Sequence, residues 1–333
     1  MDGDWLDEKD IIGDSAAKLR TTVTTESPKS IINYNISPDL PFDRSINAYR
    51  GCEHGCIYCY ARPTHAYHDL SPGLDFESKL FAKPNAADLL RQTFAKPKYQ
   101  PASIAIGTNT DPYQPIEKRY RITRQILEVM LETLHPVAIT TKSNRVVEDI
   151  DLLAQLAARQ LTAVAISVTT LDPQTARLLE PRAPAPARRL EAVMKLSEAG
   201  IYVHVNIAPV VPGITDHEIE AIVAAAADHG ARSIFFIPMR LPHEVAPLFE
   251  QWLEAYYPER RSKVMSIIRQ MRGGKRNDPG FHSRMRGQGP WADLIRTRIG
   301  VASRKAGLNK SKISLRTDLF RRPVISGSQL ELF

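Results

Sequence analysis

An α/β fold, a partial (β/α)6 barrel carrying a basic and mainly helical C-terminal extension, is what this sequence predicts. Three observations lead there. Five strand-then-helix units follow one another between residues 103 and 257, and strict alternation builds a parallel sheet with right-handed crossovers. The strand segments are short, apolar and rich in Val and Ile, as strands covered on both faces are. The last quarter of the chain breaks the alternation and is dominated by Lys and Arg. From the pattern alone, an ordinary doubly wound sheet remains the other option.

In chain order, residues 1–40 are polar, with TTVTTESPKS at 21–30, and predict a flexible N-terminal arm. The barrel is expected over 41–257, its first strand near 44–49. Residues 84–94 have helical periodicity, and Asn85 is placed to cap that helix. Strands are predicted at 103–108, 137–143, 163–170, 202–213 and 233–239. Helices are predicted at 121–134, 146–160, 187–200, 216–230 and 243–257. The first of these stops before His135-Pro136, and two end on Gly200 and Gly230. The basic extension covers 258–323, and within it 303–322 predicts a helix followed by a tail. Residues 324–333 predict a flexible spacer ending in an apolar hook.

The 333 residues are 43% hydrophobic and 24% charged, ordinary for a globular enzyme. No apolar run is long enough for a membrane span. The start, MDGDWLDEKD, lacks the apolar centre of a signal peptide, so a cytoplasmic location is expected. Thiols stay reduced there, and clustered cysteines serve metals or catalysis. Net charge is +7 and uneven: residues 258–323 hold eighteen Lys and Arg against four Asp and Glu, whereas residues 1–257 balance at −6. Such asymmetry suits a polyanionic partner.

All three cysteines lie in GCEHGCIYCYAR, residues 51–62. Three is odd for disulfides and one short of a closed zinc site. His54, His65 or His68 could complete a Cys3His zinc module. Alternatively, three thiolates hold three corners of a [4Fe-4S] cluster, leaving the fourth iron to a small molecule bearing an amino and a carboxylate group.

The spacing Cys52-x3-Cys56-x2-Cys59, with an aromatic residue just before the last cysteine, resembles the signature of the radical S-adenosylmethionine (SAM) superfamily. Within it the chain resembles the spore photoproduct lyase-like group of DNA repair photolyase-like proteins, from about residue 45 to 212. Further matches are GTNTDPYQPIE from Gly107, TTKS from Thr140, ISVTT from Ile166, LLEPRAP from Leu178 and NIAPVVPG from Asn206. They stand in the family's order. The segments lie at C-terminal ends of predicted strands, where a β/α barrel builds its site.

The resemblance implies a radical SAM barrel with a [4Fe-4S] cluster on Cys52, Cys56 and Cys59, and S-adenosyl-L-methionine as cofactor. It implies reductive cleavage of SAM to methionine and a 5′-deoxyadenosyl radical, with an electron donor such as flavodoxin or ferredoxin. Tyr58 would pack near the adenine, Thr110 would touch the cofactor, and Lys142 would pair with its carboxylate. Ser167, and likewise Asn206, would bind the ribose or the methionine end. Glu180 and Arg182 would form an ion pair if they are not in the site. One departure stands out: the lyase's hydrogen-donating cysteine is replaced by Thr108, whose O–H is far stronger than a thiol S–H. Tyr49, Tyr60 and Tyr113 are the alternative relays.

In the extension, Arg272, Lys275, Arg276, Arg284 and Arg286 are interleaved with Phe281, His282 and Trp291. Arginine with aromatics fits phosphate neutralisation and base stacking on nucleic acid, DNA foremost. A solvated face of a cap over the barrel mouth fits it too. The final QLELF resembles the pentapeptide that binds the bacterial sliding clamp, through Gln329, Leu330, Leu332 and Phe333. Three functions therefore stay open: a radical SAM enzyme acting on nucleic acid, one acting on a protein or metabolite, and a non-enzymatic zinc or nucleic-acid binding module.

Overall fold

A computed structural model describes residues 20–311 and 313–324. Its strands are β1 (Thr22–Thr25), β2 (Ile32–Tyr34), β3 (Arg44–Ile46), β4 (Tyr49–Arg50), β5 (Lys79–Ala82), β6 (Ile104–Ile106), β7 (Val137–Thr141), β8 (Thr162–Ser167), β9 (Tyr202–Val210) and β10 (Ser233–Pro238). Its α-helices are α1 (Leu74–Ser78), α2 (Ala86–Ala95), α3 (Glu117–Tyr120), α4 (Ile122–Glu132), α5 (Ile150–Ala157), α6 (Pro173–Leu179), α7 (Pro186–Glu198), α8 (Ile219–Asp228), α9 (Val245–Tyr256), α10 (Pro258–Met271), α11 (Ser283–Arg286) and α12 (Gly289–Lys305).

Strands β3, β6, β7, β8, β9 and β10 lie side by side in chain order, every neighbouring pair parallel. These are the six strands the alternation predicts. The sheet stays open: β2 adds antiparallel to β3 at one edge and β10 forms the other. Val137, Ile139, Val164, Val203 and Val205 are sealed in the strands, and Leu90, Ile126, Leu153 and Val193 cover them from the helices. Each such side chain contributes about 1.5–3 kcal/mol by leaving water. Gly200 and Gly230 take positive φ just past α7 and α8, the helix-ending role expected of them.

Three expectations need correction. Residues 20–40 are not a loose arm: β1 pairs parallel with β5, β2 pairs with β3, and Ile31 and Ile32 are buried. Edge strands this short carry too few apolar residues to show periodicity, yet pairing holds them. The Asn85 side chain makes no capping bond to α2. The helix expected from 303 ends at Lys305. Residues 313–324 instead run without helix beneath the barrel, where Arg316 N bonds Gln160 O, Arg321 N bonds Thr133 O, and Phe320 packs against Phe94, Tyr99 and His135. Those partners lie at the N-terminal ends of the strands, opposite the mouth.

The extension is not a separate unit. Val264, Ile268 and Met271 of α10 share one core with Phe249 and Leu253 of α9, Met239, and Cys56 and Tyr58 of the cysteine loop. Among the described residues no helix is long and apolar enough to cross a membrane.

Candidate active site

The cysteine loop follows β4 and is gripped from below by one arginine. Arg62 is almost wholly buried. Its Nε donates to Cys56 O at 2.9 Å, one terminal nitrogen to Gly55 O at 3.0 Å, and the other to Pro72 O and Gly73 O. Glu77 neutralises it at 2.5 Å and also pairs with Arg182, whose Nε donates to Glu53 O. Gly51 and Gly55 both take positive φ. A Cβ on Gly55 would run into the Arg182 guanidinium and the Glu77 carboxylate and would hold a positive φ that strains any other residue. From the β6 side, Thr110 donates its hydroxyl to Gly51 O at 2.6 Å, and buried Gln114 joins Gly51 O, Thr110 Oγ1 and Glu53 N.

Cys52 and Cys56 are buried, Cys59 is half-buried, and all three are free thiols. Burial comes first in pushing each of them up, and for Cys52 the fields of Asp111 and then of the other two thiols add to it. Three thiols close enough to oppose one another's ionisation make a donor set that a cationic iron–sulfur core would relieve. The residues present therefore fit a cluster held at three corners. A Cys3His zinc site is not what they build: His54 faces Asp111 at 3.4 Å, His65 Nε2 bonds Lys79 O, and His68 stacks on Phe81. Among the described residues, no three Cys, His, Asp or Glu side chains are grouped so as to hold one metal ion.

Beside the loop, the ends of β7, β8 and β9 meet at a buried carboxylate. Glu180 is fully buried. It accepts from the Tyr58 hydroxyl and from Thr169 Oγ1 at 2.7 Å, pairs with Arg189, and has Lys142 Nζ at 3.6 Å. Burial acts to raise its pKa, but Arg189, Lys142 and the two hydroxyls outweigh it and hold the group at about 2. Lys142 also lies 5.7 Å from the centre of the Tyr58 ring. Ser167, the last residue of β8, stands in register with Asn206 in the middle of β9.

The expected cofactor residues thus gather at the mouth, with differences. Thr110 is spent holding Gly51. Lys142 and Tyr58 are tied to Glu180. Glu180 and Arg182 form no pair with each other; they pair with Arg189 and Glu77. Of the three tyrosines, Tyr49 bonds buried Glu117 and Tyr113 bonds Asp149 in the interior. Tyr60 is half-exposed next to Cys59, with its hydroxyl donating to Thr108 O. Arg62, Gln114, Glu77 and Arg189 escaped the sequence reading, because isolated polar residues carry no periodic signal.

The extension divides. Arg272 is a correction: it is buried, its guanidinium spent on Pro238 O, Met239 O, Ser283 O and Arg284 O. Arg284 forks onto Asp39 at 2.6 and 2.7 Å, Arg276 pairs with Glu250 at 3.0 Å, and Trp291 Nε1 donates to Asp216. Lys275 and Arg286 are exposed. Gln329, Leu330, Leu332 and Phe333 lie outside the described residues.

Comparison with known proteins adds three findings. The profile of the Radical SAM superfamily matches residues 46–226. An uncharacterized protein of Mycobacterium tuberculosis is 35% identical over 232 residues, 69% of this chain and 68% of its own. A Radical SAM Nalpha-GlyT isomerase of Pseudomonas phage M6 is 23% identical over 225 residues, 67% of this chain and 45% of its own. Among solved structures, a cysteine-to-serine mutant of spore photoproduct lyase superposes with a TM-score of 0.62 at 15% identity, covering 90% of this chain and 85% of that one. Another mutant of that lyase, with bound AdoMet and dinucleoside spore photoproduct, gives 0.61 over 86% and 80%. The fold is shared with the lyase.

Proposed function

Because the chain belongs to the radical SAM superfamily, and so is an enzyme of that class, we propose that it works with a [4Fe-4S] cluster and SAM on a nucleic-acid substrate, in a DNA repair-like reaction. The observation that carries this is a loop presenting three free thiols, braced by Arg62 and Gln114, at the C-terminal ends of parallel strands.

Cys52, Cys56 and Cys59 would hold the cluster. When bound, it supplies the electron that splits the C5′–S bond of SAM. The chain's own residues position and protect. Lys142 offers its ammonium to the SAM carboxylate, with Glu180 orienting it from 3.6 Å. Tyr58, its hydroxyl anchored on Glu180, presents a fixed ring face to the adenine. Ser167 at the end of β8 and Asn206 beside it on β9 would bind the ribose or the methionine end. The apolar packing behind the loop, Val211, Ile214 and Met239 with Cys56, keeps water from the reacting centre. Tyr60 is the tyrosine placed to return a hydrogen atom, since a phenol O–H is weaker than the O–H of Thr108.

Nucleic acid is favoured by exposed Lys275, Arg286 and Phe281 near the mouth and by the dinucleoside spore photoproduct bound to the lyase of the same fold. The bonds of Arg272, Arg276 and Arg284 to groups of the chain itself support a second reading, in which the extension is a lid over a protein or metabolite substrate. The terminal QLELF is read as a sliding-clamp ligand; removing residues 329–333 should abolish clamp capture, and capture that survives removal rejects that role. Flavodoxin or ferredoxin would supply the electron. Anaerobic reconstitution followed by SAM and dithionite tests the core reading through formation of 5′-deoxyadenosine. Stimulation of that reaction by DNA, and by no protein extract or metabolite pool, separates the two substrate classes.

A further inference from the structure

Arg240 follows β10, on the edge of the mouth that the open barrel leaves free. It is half-buried, and its Nε is enclosed without any hydrogen-bond acceptor. One terminal nitrogen meets only the Met285 sulfur at 3.2 Å, a weak acceptor. No carboxylate among the described residues pairs with it. The two whose fields reach it are Asp39 and Asp278. Asp39 is occupied by the fork of Arg284 and by His282 N, and Asp278 by Gly280 N.

Of the neighbouring guanidiniums, Arg284 forks onto Asp39, and Arg272, whose own Nε is also enclosed without an acceptor, spends both terminal nitrogens on four carbonyls, whereas Arg240 has only a sulfur. An enclosed donor without an acceptor costs free energy. The Arg240 Cζ is 5.9 Å from the centre of the Tyr60 ring, and Tyr60 adjoins Cys59. The ring attracts the cation through its face but leaves the N–H donors unused. Across the same edge stand exposed Lys275, Arg286 and Phe281, the mixture of charge and aromatic surface that follows a single strand.

We propose that Arg240 forms a phosphate subsite at the β10 edge of the mouth, taking one phosphodiester of a nucleic-acid strand whose neighbouring nucleotide lies towards Tyr60. The two terminal nitrogens of the guanidinium match two phosphate oxygens; the Nε, enclosed by the protein, is not one of the contacts. The inference rests on the nucleic-acid reading above and names one of its contacts.

The test is fluorescence anisotropy of a labelled single-stranded oligonucleotide with the reconstituted full chain under anaerobic conditions. Arg240→Gln should weaken binding about tenfold and lower the slope of log K against log salt by about 0.7, the share of one phosphate on a single strand. Arg240→Lys, which keeps the charge and loses the fork, should fall between. A series of single methylphosphonate replacements should reveal one position that costs the parent protein the same factor and costs Arg240→Gln nothing. Mononucleotide and inorganic phosphate should compete only weakly if the strand is the ligand.

Equal affinity and slope in parent and Arg240→Gln, with iron content and thermal melt showing both folded, overturn the subsite. So does an unchanged methylphosphonate profile. Should Arg240→Gln fail to fold, a flat methylphosphonate profile in the parent overturns it equally. No oligonucleotide binding by the parent rejects this inference together with the nucleic-acid reading. Parent binding that ignores Arg240 rejects this inference alone.

Discussion

Tyr58, Thr169, Lys142 and Arg189 come from the cysteine loop, the ends of β8 and β7, and helix α7, yet all four converge on Glu180. The carboxylate is the hinge between loop and sheet. Replacing it by Gln leaves Arg189 buried without its counter-charge, and we expect a loss of about 3–5 kcal/mol in urea unfolding. The pH sign follows from a folded pKa held below the ordinary 4.5. The contribution is complete above pH 4.5 and is lost as pH falls towards 2. The parent's urea midpoint should therefore fall through that window, and Glu180→Gln should lack that component of the fall. At the other side of the mouth, Tyr60→Phe should leave 5′-deoxyadenosine formation without substrate within twofold, while substrate product falls at least about tenfold. Equal product from both proteins would remove Tyr60 from hydrogen return.

The cysteine loop is an element whose geometry rests on Gly55. Alanine there meets the Arg182 guanidinium and a positive φ, costing on the order of 1–3 kcal/mol. Gly55→Ala should lower iron uptake during reconstitution more than it lowers the thermal melt of the barrel; a full iron load would show that the loop tolerates the shift. This element also marks how much was legible. The cysteine spacing and the six strands were readable, because each has a spacing or a hydrophobic period, and the family resemblance pointed to Lys142, Ser167 and Asn206 along those strands. The grip of Arg62 was not, nor β1 and β2, nor the burial of Arg272. An arginine caged by four carbonyls and one reaching for a phosphate have the same letter, and only tertiary packing separates them.

Across the whole molecule, the basic extension reaches both ends of the barrel. Residues 272–286 border the mouth through Pro238 and Met239, while 313–324 cross the opposite end. Charge reversal at Lys275 and Arg286 should weaken oligonucleotide binding about tenfold or more at moderate salt, whereas reversal at Arg304 and Lys310 should change it less than about twofold. Anisotropy at one fixed salt concentration compares them, and equal losses would mean a diffuse field without a mouth-side track. The central claim, that a three-thiol loop holds a cluster which SAM completes, is tested most directly by anaerobic reconstitution of the parent and of Cys52→Ala, Cys56→Ala and Cys59→Ala. The account predicts about four iron and four sulfide per chain in the parent, with 5′-deoxyadenosine formed from SAM and dithionite, and loss of both in each variant. Stoichiometric zinc without iron in the parent, or 5′-deoxyadenosine still formed when all three cysteines are alanine, would contradict it.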